Sequence, residues 1–259
     1  MSCRHEAPSS DYASFFDSLT WEQDRLFHET TCFSLEPLRG PDTPCDAGCL
    51  NLHKTVPTLD EYRHFWTLHT NLKVRNVLEI GVWSGASLIF WHKFFNPEKI
   101  VGIDLFPRDL SECYHSYITA HNLEDVIRIF WRVDQKNQEF LYKIVSTEFA
   151  GPLDVVIDDG SHYYEESKIS FMTLFPHIRP GGMYIIEDWS WSLWNPERFR
   201  NKNYFKDKTP LMDLITDLMN EIGKGSEMIQ NISIYQNFAV IERSGQPHPS
   251  GNGSHPGVA

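Results

Sequence analysis

A chain of 259 residues with 41% hydrophobic content can bury the core of one large domain with appendages, and it is too apolar for a disordered or fibrous protein. Its 35 acidic and 23 basic side chains leave a formal charge of −12, which repels phosphate backbones and sets nucleic acid aside as a general partner. No apolar run approaches the ~20 residues of a bilayer span, and the opening "MSCRHEAPSSDYASFF" lacks a basic region followed by an apolar one, so neither membrane insertion nor a signal peptide is expected.

The first 56 residues read as a helical or irregular arm. "YASFFDSLTWEQDRLFHETT" has apolar residues at helical spacing, and "EPLRGPDTPCDAG" reads as a loop. The cysteines are odd in number (Cys3, Cys32, Cys45, Cys49, Cys113), which argues against a disulfide framework and for a reducing, cytoplasmic setting. Cys45, Cys49 and His53 do not have zinc-finger spacing and read as a loop with ordinary thiols. "TLDEYRHFWTLHTNL" predicts a helix with Thr58 as its N-cap and Glu61 completing a capping box.

From there strands and helices alternate. "NVLEIGV", "KIVGIDLF", "VIRIFWRV", "LDVVIDD" and "GMYIIED" are short apolar strands, each of the first four followed by an amphipathic helix. "NISIY" and "NFAVIERS" lie close enough together to form a hairpin. The expected fold is α/β: a doubly wound Rossmann-like sheet of seven strands, mostly parallel, with an antiparallel C-terminal hairpin and helices on both faces. It spans residues 57–243 with an aromatic insertion at about 189–208, and 244–259 reads as a disordered tail.

Strand ends carry the chemistry in such a sheet. "LEIGVWSGAS" sets Gly81 and Gly85 after the first strand, in a spacing unlike the dinucleotide fingerprint, with Glu79 just before the turn. Asp104 ends the second strand, where an acid accepts hydrogen bonds from ribose hydroxyls. Asp134 and Gln135 end the third, placed either for an adenine edge or to cap the next helix. "DDGSH" and "IIEDW" end the fourth and fifth, bringing Asp158, Asp159, Glu187 and Asp188 to one rim. So many carboxylates repel one another unless a cation compensates, and oxygen ligands suit magnesium. His162 stands three residues past Asp159, in place to take a proton from a hydroxyl. Trp189, Trp191 and Trp194 follow at once, as a lid on the acceptor or as a hydrophobic cover.

The segments "VLEIGVWSGASLIFWHKFF", "IVGIDLF", "VDQKNQEFL", "VVIDDGSH" and "SFMTLFPHIRPGGMYIIED" resemble class I S-adenosylmethionine-dependent methyltransferases. More narrowly they resemble the metal-dependent macrocin- and mycinamicin-type O-methyltransferases, relatives of the cephalosporin hydroxylases. The resemblance implies S-adenosylmethionine and Mg2+ as cofactors and a small-molecule hydroxylated acceptor, a diol or catechol-like group; the aromatic N-terminal arm points to a homo-oligomer. It implies cofactor contacts at Glu79, Gly81, Gly85, Ser87, Asp104, Asp134, Gln135 and Asp158, metal ligands Asp159, Glu187 and Asp188, and His162 as general base. Tyr163, Trp189, Trp191 and Trp194 are the candidate acceptor contacts. An oxidoreductase, a hydroxylase and a non-catalytic cofactor-binding protein are the other classes such a sheet could serve.

Overall fold

The structure is a computed structural model, and it describes residues 12–35, 48–69, 72–194, 197 and 207–245. Cys3, Cys45 and the tail from residue 246 lie outside the described residues, as does most of the aromatic insertion beyond Trp194. Among the described residues no helix is long and apolar enough to cross a membrane.

The chain opens with a short helix, α1 (Tyr12–Asp17), and then forms a four-stranded sheet: β1 (Thr20–Glu22), β2 (Arg25–His28), β3 (Thr31–Leu35) and β4 (Cys49–Leu52), in that spatial order. The helical reading of residues 12–31 therefore holds only for the first six. The strands turn back through Gln23 and Glu29, which adopt left-handed backbone angles (φ 57° and 55°) in two-residue connections. Hairpin turns of that kind normally advertise themselves with Asn or Gly, and here they do not. β3 and β4 pair in parallel, setting Cys32 opposite Cys49, and the two form a disulfide. The expectation of an ordinary thiol is thus corrected for Cys49, and the argument against disulfides is corrected for both.

α2 (Val56–Thr67) begins three residues earlier than its sequence suggested. Thr55 is the N-cap, its hydroxyl accepting from the Thr58 amide at 3.3 Å, with Pro57 in the first turn where no amide hydrogen is needed. Glu61 is no capping-box partner; it accepts from the amides of Gln236 (3.2 Å) and Asn237 (3.0 Å) across the molecule.

The main sheet follows: β5 (Asn76–Ile80), α3 (Ala86–Phe95), β6 (Lys99–Asp104), α4 (Glu112–His121), β7 (Ile127–Trp131), α5 (Gln138–Glu148), β8 (Leu153–Asp158), α6 (Tyr164–Leu174) and β9 (Ile178–Glu187). The short α7 (Trp191–Trp194), then α8 (Met212–Gly223), β10 (Ile229–Ile234) and β11 (Phe238–Arg243) complete it. The strand order is β10-β11-β9-β8-β5-β6-β7, with β5 to β9 parallel and β10 and β11 antiparallel, as the alternating pattern predicted. The winding direction reverses between β5 and β8, which is where such sheets open a crevice at their carboxyl ends.

Each strand feeds two cores. Val77, Val155, Ile157, Met183 and Ile185 pack on one face with α1 to α4 and the small sheet. Leu78, Ile80, Val156, Tyr184 and Ile186 pack on the other with α5, α6 and α8. This period-two alternation continues into the acids at the strand ends and decides which face each one meets.

Candidate active site

A cavity of about 740 Å³ opens at the carboxyl rim, a size that suits a cofactor-sized ligand. Gly81, Asp104, Val133, Asp134, Gln135, Asp159, His162, Tyr163 and Asp188 contribute to its wall. Four residues just beyond strand ends, Trp83, Arg132, His162 and Asp188, hold left-handed backbone angles (φ 48° to 61°), and none is glycine. Such conformations cost of order 1–3 kcal/mol each and concentrate where a fold must aim a side chain.

Gly81 is fixed by close approach. A Cβ there would lie 2.1 Å from the Asp159 carbonyl oxygen, and its φ of 85° disfavours any side chain. The β5 and β8 loops therefore touch backbone to backbone, leaving the cavity side open to a ligand. Beside it Asp104 accepts the amides of Trp83 and Phe106, both at 2.9 Å, which locks its carboxylate at the cavity wall. Asp134 folds back on the Lys136 amide (2.8 Å) and stays half-exposed in the wall; the cap of α5 is Asn137, whose side chain accepts from Phe140. Gln135 is in the wall but largely buried, and it ties two segments together. Its Oε1 accepts from the Ser161 amide at 2.9 Å, and its Nε2 reaches Ser170 at 3.2 Å, so it clamps "DDGSH" to α6.

The two aspartates of that motif part company. Asp158 points into the α6 face, accepting from Ser170 and Tyr184 at 3.0 Å each. Burial raises its pKa and those hydrogen bonds pull it back. Asp159 faces the opposite side and the cavity. It shares a small space with His162 and Asp188, one ligand atom of each lying within 4.8 Å of the others. His162 Nε2 is 4.0 Å from Asp159 Oδ1, beyond hydrogen-bond reach, and its buried Nδ1 has no partner. Burial raises the Asp159 pKa well above the carboxylate range, Glu187 and Asp188 add to it, and Lys54 opposes it. The crowding by Glu187 and Asp188 is of the kind that a bound cation would relieve.

Other expected site residues stand behind the cavity wall. Glu187, expected as a metal ligand, lies on the α2 face next to Asp159: its Oε2 accepts from Lys54 (2.6 Å), which is also 3.4 Å from Asp159 Oδ2, and its Oε1 accepts from Tyr62 (2.6 Å). Glu79 shares that face and is fully buried, accepting from Ser87 (2.9 Å) and Trp91 (3.2 Å); burial pushes its pKa up to about 7, while Lys54 pulls it down. Glu79, Ser87 and Gly85, expected at the cofactor, are thus outside the cavity wall, Gly85 serving as the left-handed N-cap of α3. Trp189 donates to the Tyr235 carbonyl (2.9 Å) and packs on the second core, and Trp194 donates to Ser190 (2.9 Å). Neither they nor Trp191 contribute to the cavity wall.

Sequence reasoning missed the arm's contribution. His53 reaches the cavity wall against Trp83, with ring centroids 5.2 Å apart, and the Arg108 guanidinium lies over the Trp83 ring, 3.6 Å from its centroid. Lys54 enters the acid group itself. Lys208 and Glu166, paired at 2.5 Å, close the cavity beside Tyr163. Nothing local in "NLHKTV" marks Lys54; its only signal is a lysine immediately before a helix N-cap, a place where a positive charge is unfavourable unless acids face it.

Residues 78–189 match a family described as a methyltransferase domain. The mycinamicin VI 2''-O-methyltransferase of Micromonospora griseorubida is 34% identical over 211 residues, which is 74% of this chain and 48% of that protein. The demethylmacrocin O-methyltransferase of Streptomyces fradiae is 32% identical over 213 residues, 74% of this chain and 49% of that one. The chain spans about half the length of these curated relatives. Among solved structures, the methyltransferase MycE of the mycinamycin pathway, in complex with Mg, SAH and mycinamycin VI, superposes with a TM-score of 0.53 at 33% identity, covering 72% of this chain and 48% of that one. Strand order, the crevice at the β5–β8 reversal and these likenesses agree that the chain carries a methyltransferase domain, similar to those of the mycinamicin and macrocin O-methyltransferases.

Proposed function

We propose that this chain is a divalent-cation-dependent O-methyltransferase that moves a methyl group from S-adenosylmethionine to a sugar hydroxyl of a small-molecule natural product. The observation that carries the reading is the meeting of Asp159, His162 and Asp188 on the wall of one cavity that also holds Gly81 and Asp104. The relatives' names and the ligands of the MycE complex supply the acceptor class.

The donor set fits the implied groups: two carboxylates suit a hard divalent cation, the imidazole beside them suits a proton acceptor, and a fixed carboxylate at the end of β6 suits ribose hydroxyls. When bound, S-adenosylmethionine supplies an electrophilic methyl group and Mg2+ supplies the Lewis acidity that makes a hydroxyl acidic. In this reading Asp104 binds the ribose, Asp134 lies at the adenine end, and the open face of Gly81 receives the methionyl end. Asp159 and Asp188 hold the cation. His162 accepts the acceptor's hydroxyl proton on its ring, and the Lys208–Glu166 pair with Tyr163 borders the acceptor's side of the cavity. The residues act mainly by orienting the two reactants, and no covalent enzyme intermediate is needed.

Radiolabelled methyl transfer from S-adenosylmethionine tests this on mycinamicin VI, demethylmacrocin and simpler glycosides with vicinal hydroxyls. Labelled product in Mg2+ that disappears in excess EDTA is the expected result. Undiminished product in EDTA, or calorimetric binding of NAD in preference to S-adenosylhomocysteine, would refute it.

A further inference from the structure

Arg108, Lys136 and Lys208 all line the cavity, and two of them are already matched by acids. Lys208 pairs with Glu166 at 2.5 Å, and Lys136 lies 3.9 Å from Asp134 and 3.8 Å from Glu166. Arg108 has no such match: among the described residues its guanidinium meets neither an acid nor a hydrogen-bond acceptor, and its Nε is buried without a partner. Stacking holds it instead, 3.6 Å from the centroid of the Trp83 ring. A guanidinium stacked on an indole is fixed in place while its in-plane N–H groups stay available to an anion, and its fork matches a carboxylate.

The fold sets this cation over one particular turn. Arg108 follows the end of β6, and Asp104 ties the loop after β6 to the loop after β5 by accepting the amides of Phe106 and Trp83, both at 2.9 Å. Trp83 belongs to the turn that opens with Gly81, and its left-handed backbone (φ 48°) aims the indole between His53 and Arg108. The guanidinium thus lies over the turn whose open glycine face was given above to the methionyl end. Its surroundings are acidic, since Asp104, Asp159 and Asp188 share the wall. An anionic group entering there is repelled unless an unmatched cation receives it.

We propose that Arg108, stacked on Trp83, is the binding residue for the α-carboxylate of S-adenosylmethionine and selects cofactors that keep their amino-acid tail. The proposal rests on the methyltransferase reading above. That carboxylate is the cofactor's only negative charge, and the adenosine part carries none. Removing the tail therefore removes what Arg108 holds and leaves what Asp104 holds. A guanidinium that merely covered Trp83 would serve ligands with and without the tail alike.

The test is calorimetry on the full chain with S-adenosylhomocysteine and with methylthioadenosine, which keeps the adenosine and sulfur and lacks the amino-acid portion, for wild type and R108M. Wild type is expected to prefer S-adenosylhomocysteine. R108M should bind it at least about tenfold more weakly, a change of about 1.4 kcal/mol, and bind methylthioadenosine within about twofold of wild type. Equal weakening of both ligands would overturn the proposal, because Arg108 would then only support the wall. Unchanged affinity for both would overturn it too, because the guanidinium would then serve some other anion. Should R108M fold poorly, R108Q makes the same comparison and must show the same selective loss. A wild type that binds the two ligands equally overturns this proposal alone, whereas a wild type that binds neither overturns the cofactor reading with it.

Discussion

Two sets of acids share the carboxyl rim and live in different worlds. On the inner side, Glu79 and Glu187 are buried against α2 and α3, and every oxygen has a donor from Ser87, Trp91, Lys54 or Tyr62. At the cavity, Asp159 and Asp188 stand partly open beside a histidine whose Nδ1 is buried and unpartnered. The inner set is buried and fully hydrogen-bonded within the protein; the outer set faces the cavity. Alternation along β8 and β9 produces the division, since neighbouring residues face opposite cores, and the left-handed turn at Asp188 (φ 52°) returns one acid to the rim.

Substitutions on the two sides should therefore fail differently. At the cavity, His162→Ala is expected to lower methyl-transfer turnover by about 10²–10⁴-fold with S-adenosylhomocysteine affinity unchanged by calorimetry. Asp159→Asn should lose turnover at least as severely and keep its thermal transition. Turnover within a few-fold of wild type in either variant would erase the distinction between the sides.

On the inner side the loss should be one of stability. Glu187→Gln leaves the Lys54 ammonium buried with a weakened partner, and breaking such a pair typically costs about 3–5 kcal/mol. Urea unfolding in EDTA reads it directly. Asp158→Asn sharpens the contrast further, because it changes the nearest sequence neighbour of Asp159. It should cost about 1–3 kcal/mol through the Ser170 and Tyr184 hydrogen bonds while Mn2+ binding persists. Loss of Mn2+ binding in that variant would show that the two aspartates are not separate in function.

The smallest expected effect is a slope. Glu79 has its pKa raised from 4.5 to about 7 by burial, so the folded state favours its protonated form. Its contribution is fully present below the unfolded value and is lost as pH rises through the folded one, so stability should decline between about pH 4.5 and 7. Glu79→Gln should flatten that decline in urea titrations across the window. An unchanged slope would place the Glu79 charge elsewhere in the balance.

The main sheet was legible because its signals are local: apolar runs of strand length, helices at regular intervals, and acids directly after the runs. Asp104, Asp159, His162 and Asp188 could be picked out for that reason. The small sheet was hidden because Gln23 and Glu29 make its turns without the usual glycine or asparagine, and because apolar residues such as Phe15, Phe16 and Phe33 serve helix and strand patterns alike. The disulfide depends on a parallel register between strands 17 residues apart, which cysteine counting does not reveal. Lys54, and the clamp that Gln135 makes, were invisible for a related reason. The meaning of each comes from partners between 23 and 133 positions away, brought together only by the fold.

The most direct test of the central division is the position of a bound cation. Crystals of the full chain grown with S-adenosylhomocysteine and Mn2+ would locate it by anomalous scattering. The account predicts a single peak at the cavity lip, bound by Asp159 and Asp188. A peak seated at Glu79 on the inner face, or a rim that stays empty at saturating Mn2+, would contradict it.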